Sequence, residues 1–241
     1  MAFEGEESMI AEKMMLNTID PDGKWLYRVG GICALILGIA YIITIPLYAL
    51  GGTPPSGGEA WLKYLAGKTA VWWAILGLSV LTDLLFVPVA FSLYLALKRV
   101  NRNVMLVATA FVGLFVVLDL AVTWPNYASL ITLSSHYISA ANDAQRIAYV
   151  AAANYASAVL ASRLEAVYSI LVLSFGILMI GLVMLKGIFN KSTAYLGLLT
   201  GALGIVSVAS TLSVIIIITS VLTTVWVLFV GYRLYRLGLP S

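Results

Sequence analysis

Charged residues are scarce in this chain of 241 residues: Asp, Glu, Lys and Arg together make up 10% of it, and 61% of the residues are hydrophobic. A soluble domain carries about 25% charged residues, because polar groups must cover its surface. The deficit therefore predicts that lipid surrounds most of the chain. The net charge is +3, but six of the 11 acids precede residue 24. This acidic beginning argues against a nucleic-acid partner, which requires a concentrated basic surface.

Cysteine and histidine are nearly absent. Cys33 is the one cysteine and His136 the one histidine, which excludes an intrachain disulfide, a Cys/His zinc site and bis-histidine haem. Every lysine lies outside the apolar runs, which argues against a retinal Schiff base, and no phosphate-binding glycine loop is present. No metal and no cofactor are therefore expected.

Long apolar stretches dominate the rest of the sequence. Five runs carry at most one charge each: 30–50, 69–97, 104–124, 166–185 and 192–232. A spanning helix needs about 20 residues, so the last run is predicted to hold two helices joined by a turn near 210–213. The runs are continuously apolar, which favours helices over the alternating strands of a barrel. The predicted fold is an all-α integral membrane protein, a six-transmembrane-helix bundle with spans at about 28–50, 70–97, 104–125, 164–185, 194–210 and 212–233.

The basic residues predict how these helices are threaded. With the N-terminus in the cytoplasm, ten of the 14 Lys and Arg residues fall in inside segments, as the positive-inside rule requires. Both termini are then cytoplasmic, and residues 1–23 form an acidic tail ahead of a membrane domain at 24–241. The largest outside segment, 125–162, has helical apolar spacing and an N-cap residue at Asn142. It is predicted to form an extracytoplasmic helical hairpin that caps the bundle.

Two acids interrupt the apolar runs, Asp83 in the second span and Asp119 in the third. They lie at nearly equal distances from the turn predicted at 98–103, so antiparallel helices place their carboxyl groups at the same depth. An acid at the centre of a span costs roughly 2.5–3.5 kcal/mol unless it is paired, protonated or in contact with water. Polar residues at helical spacing and an acid of the fourth span complete a predicted polar seam of Asp83, Asp119, Glu165, Ser79, Thr123 and Asn126.

Besides contact with lipid headgroups, two interpretations of this seam remain open. The first is a proton-carrying pair or a ligand or cation site in an outward-facing pocket, with a carboxylate-only metal site as its extreme form. The second is interhelical packing, in which the acids are hydrogen-bonded to Tyr, Trp, Ser or Asn, or paired with Arg163 or Arg146.

The histidine supports a third hypothesis. His136 follows Ser134 and Ser135, which permits an intramembrane hydrolase with a serine nucleophile. Such catalysis requires the base within hydrogen-bond reach of the hydroxyl, and adjacency along the chain does not establish that contact.

The fifth predicted span carries glycine at regular intervals. Its Gly197, Gly201 and Gly204 form a small-residue face that allows close helix packing. That face is predicted to pack inside the bundle, or against a second copy or a partner subunit.

Several stretches carry a family resemblance: RVGGICALILGIAYIITIPL, LFVPVAFSLYLALKRVNRN, LSSHYISAANDAQRIAYVAAANY and the glycine-spaced fifth span. In these stretches residues 25–235 resemble an uncharacterised family of bacterial and archaeal multi-pass membrane proteins, domain of unknown function 4386. The resemblance implies a six-helix membrane domain in a prokaryotic plasma membrane. It implies no known activity and no functional residues.

Three functions are compatible with these observations. The preferred one is a non-enzymatic bundle that binds lipid or supports a membrane complex, because the sequence lacks repeats, cofactor motifs and a dense polar core. The alternatives are a small proton- or cation-coupled transporter using Asp83 and Asp119, and an intramembrane hydrolase. The expected partners are the lipid bilayer and either a membrane protein or a second copy of the chain.

Overall fold

The computed structural model describes residues 23–52, 54–209 and 213–239, and within them the chain is helical and has no strand. The described residues do not include the predicted tail, apart from Gly23. They also do not include the predicted turn near 210–213, apart from the first residue of the last helix. Two π-helical turns occur, at Asp119–Thr123 and Val167–Leu171. The helices are α1 (Lys24–Gly51), α2 (Gly58–Leu65), α3 (Thr69–Leu118), α4 (Trp124–Ile138), α5 (Asp143–Leu160), α6 (Arg163–Ala166), α7 (Val172–Met184), α8 (Lys191–Ala209) and α9 (Ser213–Leu237).

The described residues hold five helical stretches long and apolar enough to cross a membrane: Lys24–Gly51, Thr69–Ile138, Arg163–Met184, Lys191–Ala209 and Val214–Leu237. The architecture is therefore that of an all-helical membrane protein. The second stretch has 70 residues and would extend about 105 Å as a straight helix. The hydrocarbon core of a bilayer is only about 30 Å thick, so this stretch must bend.

The bend is a hairpin within α3. The backbone leaves helical angles at Asn101 (φ −157°, ψ 96°), and the Asn101 side chain caps the second arm by accepting a backbone N–H at 3.1 Å. Phe86 and Phe115, one on each arm, pack edge to face with ring centroids 5.8 Å apart. The arms 69–100 and 102–118 therefore lie side by side, and the break falls inside the turn predicted between the second and third spans.

The bundle packs around a core to which α1, both arms of α3, α7, α8 and α9 contribute buried side chains. The predicted glycine face of α8 lies inside this bundle. A Cβ atom at Gly197 would come within 2.6 Å of Trp226 Nε1 on α9, and one at Gly201 within 2.7 Å of the Leu178 backbone on α7. Gly204 also faces α7. Only glycine permits these close helix approaches.

Helices α2, α4 and α5 form a separate layer at one end of the bundle. Ser134 Oγ on α4 donates to Leu62 O on α2 at 2.7 Å, and Gly58 N on α2 donates to the α5 side chain of Asn154 at 2.9 Å. The N-cap predicted at Asn142 is confirmed, because its Oδ1 accepts from a backbone N–H of α5 at 2.9 Å. The layer shares its own hydrophobic core with the start of α3, made of Trp61, Leu62, Leu65, Trp72, Ile75, Leu130, Ile131, Ala153 and Ala156.

Candidate functional site

A cavity of about 320 Å³ lies between the helices of the bundle. Residues of α1, both arms of α3, both π-helical turns, α7, α8 and α9 line it. Most of the predicted polar seam is in its wall, namely Asp83, Asp119, Glu165, Ser79 and Thr123. Residues far apart in sequence are thus brought together at one place.

Two of the carboxyl groups are almost completely buried. Asp83 is 2% exposed and Asp119 is 4% exposed. Trp124 Nε1 donates to Asp83 Oδ2 at 2.5 Å, and Thr123 Oγ1 donates to Asp119 Oδ1 at 2.7 Å. The second oxygen of each carboxyl group makes no hydrogen bond with any described residue. Each acid is therefore held by one protein donor and presents one oxygen to the cavity.

No basic side chain lines the cavity in the described part of the chain, and none forms an ion pair with the three acids. Arg146 instead lies 3.6 Å from Asp143, and Arg163 is exposed. A surface pair joins Lys63 to Glu59 at 2.7 Å, where the hydrogen bond from Lys63 lowers the pKa of Glu59. The open alternative of pairing with Arg163 or Arg146 is thus not observed, and the cavity acids have no countercharge among the described residues.

Two π-helical turns position the acids. Trp124 N donates to Asp119 O, five residues back, which closes the wider π-type ring. Pro125 explains this turn, because proline has no N–H and its ring clashes with the carbonyl group four residues earlier. Glu165 precedes the second π turn, and its N–H is capped by Ser162 Oγ at 3.1 Å. The two π turns contact each other across the bundle.

The first π turn also explains why Asn126 is not in the cavity wall. The prediction placed it there by α-helical spacing from Asp119, but a π turn shifts the register of the residues after it. Asn126 Nδ2 instead donates to Val122 O at 2.8 Å, so it satisfies a carbonyl group of the π turn itself.

Hydroxyl groups supply most of the remaining polar wall. Thr44, Thr200 and Thr223 each donate to the carbonyl group four residues back, at 2.7–2.8 Å. Their hydrogens are used in this way, so their oxygens remain as acceptors. Ser174 is 5% exposed and its hydroxyl makes no hydrogen bond with a described residue. The predicted seam did not include these groups, although the four-residue spacing of Thr219 and Thr223 on α9 was a signal.

Aromatic rings form the wall nearest the α2–α4–α5 layer. Tyr48 lies edge to face on Trp72 with centroids 5.8 Å apart, and Trp72 stacks on Tyr127 at 5.6 Å. Tyr127 also contacts Trp124 at 5.7 Å. Tyr48, Trp124 and Tyr127 line the cavity directly. Periodicity in the sequence did not identify this aromatic wall, because its members come from three separate segments.

The hydrolase candidates lie in the α2–α4–α5 layer and make other contacts. The His136 ring stacks on Tyr149 with centroids 5.7 Å apart. Ser134 Oγ donates to a backbone carbonyl group of α2, and Ser135 Oγ lies 3.5 Å from Ile131 O. No Ser–His hydrogen bond joins these residues. Within the described residues, no group of three His, Cys, Asp or Glu side chains is arranged to hold a metal ion.

Comparison of the chain with family models, with curated proteins and with solved structures finds no match. The resemblance to the family of multi-pass membrane proteins therefore stays a prediction.

Proposed function

We propose that this protein is a small proton- or cation-coupled membrane carrier that uses the acidic cavity as its binding site. The observation that carries the proposal is the convergence of Asp83, Asp119 and Glu165 on one cavity without a basic residue in the described wall. Uncompensated negative charge is costly inside a membrane. A bound proton or cation would remove that cost, so the site favours positively charged occupants.

The proposed topology has six spans. The two arms of α3 are the second and third spans, and the remaining spans are α1, α6 with α7, α8, and α9. On α1, the side chains of Ile32, Ile36, Ile39 and Ile43 are exposed at spacings of three and four residues, which is the pattern of a lipid-facing helix. The basic residues favour cytoplasmic termini. The α2–α4–α5 layer is then the extracytoplasmic cap, and the cavity lies beneath it.

Ion flux tests this proposal. The full chain would be reconstituted in liposomes, and uptake of ²²Na⁺ and of protons would be followed under an imposed gradient. We expect uptake above that of protein-free liposomes, and its loss in Asp83→Asn and Asp119→Asn variants. Asp143→Asn makes the same atomic change at an exposed acid and should behave as the unmodified chain does. Normal flux in both cavity variants would contradict the proposal.

That contradicting result would favour the lipid-binding or complex-supporting bundle, in which the acids serve only as hydrogen-bond acceptors. The described packing gives that function no separate support, since the glycine face of α8 is used inside the bundle. The hydrolase would require His136 to reach a serine hydroxyl, and the described contacts direct both partners elsewhere.

A further inference from the structure

The cavity is much larger than an inorganic ion needs. Its volume of about 320 Å³ is roughly ten times the 30 Å³ that one water molecule occupies in the liquid. It falls at the lower end of the range for small-molecule sites. Among the described residues, no group of three His, Cys, Asp or Glu side chains is arranged to hold a metal ion. A bare cation would also fill only a small part of this volume.

The wall combines charge with aromatic and apolar surface. Tyr48, Trp124 and Tyr127 line the cavity together with the acids, and Ile45 and Leu173 add aliphatic surface. Aromatic rings attract organic cations through their quadrupole, and quaternary ammonium groups are the usual ligands of such walls.

The free acceptors are arranged for one positive charge. Trp124 holds Oδ2 of Asp83, which leaves Oδ1 without a hydrogen bond to any described residue although Asp83 is almost fully buried. Asp119 Oδ2 and the Ser174 hydroxyl also lack a partner among the described residues, and both residues are buried in the cavity wall. A positive charge beside these oxygens would offset the negative charge of the two carboxyl groups.

We propose, building on the carrier function above, that the substrate class is organic monocations: amines or quaternary ammonium ions with an apolar or aromatic body. The charged nitrogen lies between Asp83 and Asp119, and the body lies against the wall of Tyr48 and Tyr127. Binding and release of such a cation change no covalent bond.

The test uses the full chain in lipid nanodiscs and calorimetric titration with benzyltrimethylammonium. A second comparison uses choline and 3,3-dimethyl-1-butanol, which have nearly the same shape but differ in charge. We expect both cations to bind and the neutral alcohol neither to bind nor to compete. We further expect Asp83→Asn to weaken the affinity for benzyltrimethylammonium at least about tenfold. Asp143→Asn is the matched control. The ligand comparison needs no variant, so it stands even if Asp83→Asn fails to fold.

The outcomes separate this inference from the carrier function. Acid-dependent Na⁺ or proton flux without binding of any organic cation would overturn the substrate class and leave the carrier intact. Equal binding of the alcohol and choline would also overturn it, because charge would not be recognised. Organic-cation binding without any flux would support the substrate class and refute coupled transport. A result with no organic-cation binding and no flux would overturn both the substrate class and the carrier function.

Discussion

The hydrogen bond from Trp124 to Asp83 gives the sharpest prediction. It joins α4 to the first arm of α3, 41 residues apart in sequence, at 2.5 Å. A hydrogen bond to an ionised group contributes about 1.5–3 kcal/mol and a neutral one about 0.5–1.5 kcal/mol, while bonds between membrane helices average about 0.6 kcal/mol. The coupling energy of this pair therefore reports whether the buried acid carries charge in the resting protein.

A double-mutant cycle of Trp124→Phe and Asp83→Val measures that coupling. Phenylalanine keeps an aromatic ring against Tyr127 and removes the N–H, and valine removes both acceptors. The cost of the smaller ring appears on both sides of the cycle and cancels. Unfolding in mixed micelles with increasing dodecyl sulfate gives the free energies of unfolding.

We expect a coupling of at least about 1.5 kcal/mol if Asp83 is ionised and about 0.6 kcal/mol if it is protonated. Trp73 lies on the same arm of α3 and is 47% exposed, so Trp73→Phe combined with Asp83→Val should give no coupling. A Trp124 coupling as small as that of this control would refute the claim that the tryptophan holds the acid. It would also remove the argument that Asp83 presents a single free oxygen.

Three further predictions concern packing and backbone chemistry. Gly201→Ala should destabilise the bundle by about 1–3 kcal/mol through overpacking, measured by the same unfolding titration. In the control Gly113→Ala the added Cβ meets nothing within 4 Å, so that variant should be neutral or slightly stabilising. Equal losses of stability in the two variants would contradict the packing. Pro125→Ala supplies an N–H and should let the π turn become α-helical. Na⁺ and proton flux should then fall, while the free energy of unfolding stays unchanged. Normal flux would show that the π turn does not position the acids. Asn142→Ala should cost about 1 kcal/mol and speed amide hydrogen exchange in the first turn of α5, and unchanged exchange there would count against the cap.

Prediction from sequence succeeded where one rule acted alone. The shared cavity position of Asp83 and Asp119 followed from their equal distances to a hairpin turn, since an unbroken helix fixes depth by residue number. The cap at Asn142 followed from local side-chain chemistry. Gly197 and Gly201 could be assigned to a packing face, but only the structure shows that α7 and α9, and not a partner, cover that face in the described bundle.

Prediction failed where several segments act together. The aromatic wall joins Tyr48 to Trp72 and Tyr127, and no spacing within one helix connects these three. Hydroxyl groups of α8 and α9 also line the cavity, and the predicted polar seam did not include them. A single Thr in an apolar run does not indicate whether its side chain faces the cavity, because that depends on where the neighbouring helices lie.

Asn126, which was predicted in the polar seam but lies outside the cavity wall, shows how the membrane constrains a polar site between helices. A π turn widens the backbone ring, and Pro125 has no N–H to donate to the carbonyl group of Ala121 four residues earlier. No water is present in lipid to satisfy a loosened carbonyl group, so the protein must supply a donor. In the first π turn, Asn126 Nδ2 donates to the neighbouring Val122 O. Beside the second π turn, Ser169 Oγ donates to Glu165 O at 2.8 Å. Asn126 therefore satisfies the backbone of the π turn and makes no hydrogen bond with the Asp119 carboxyl group.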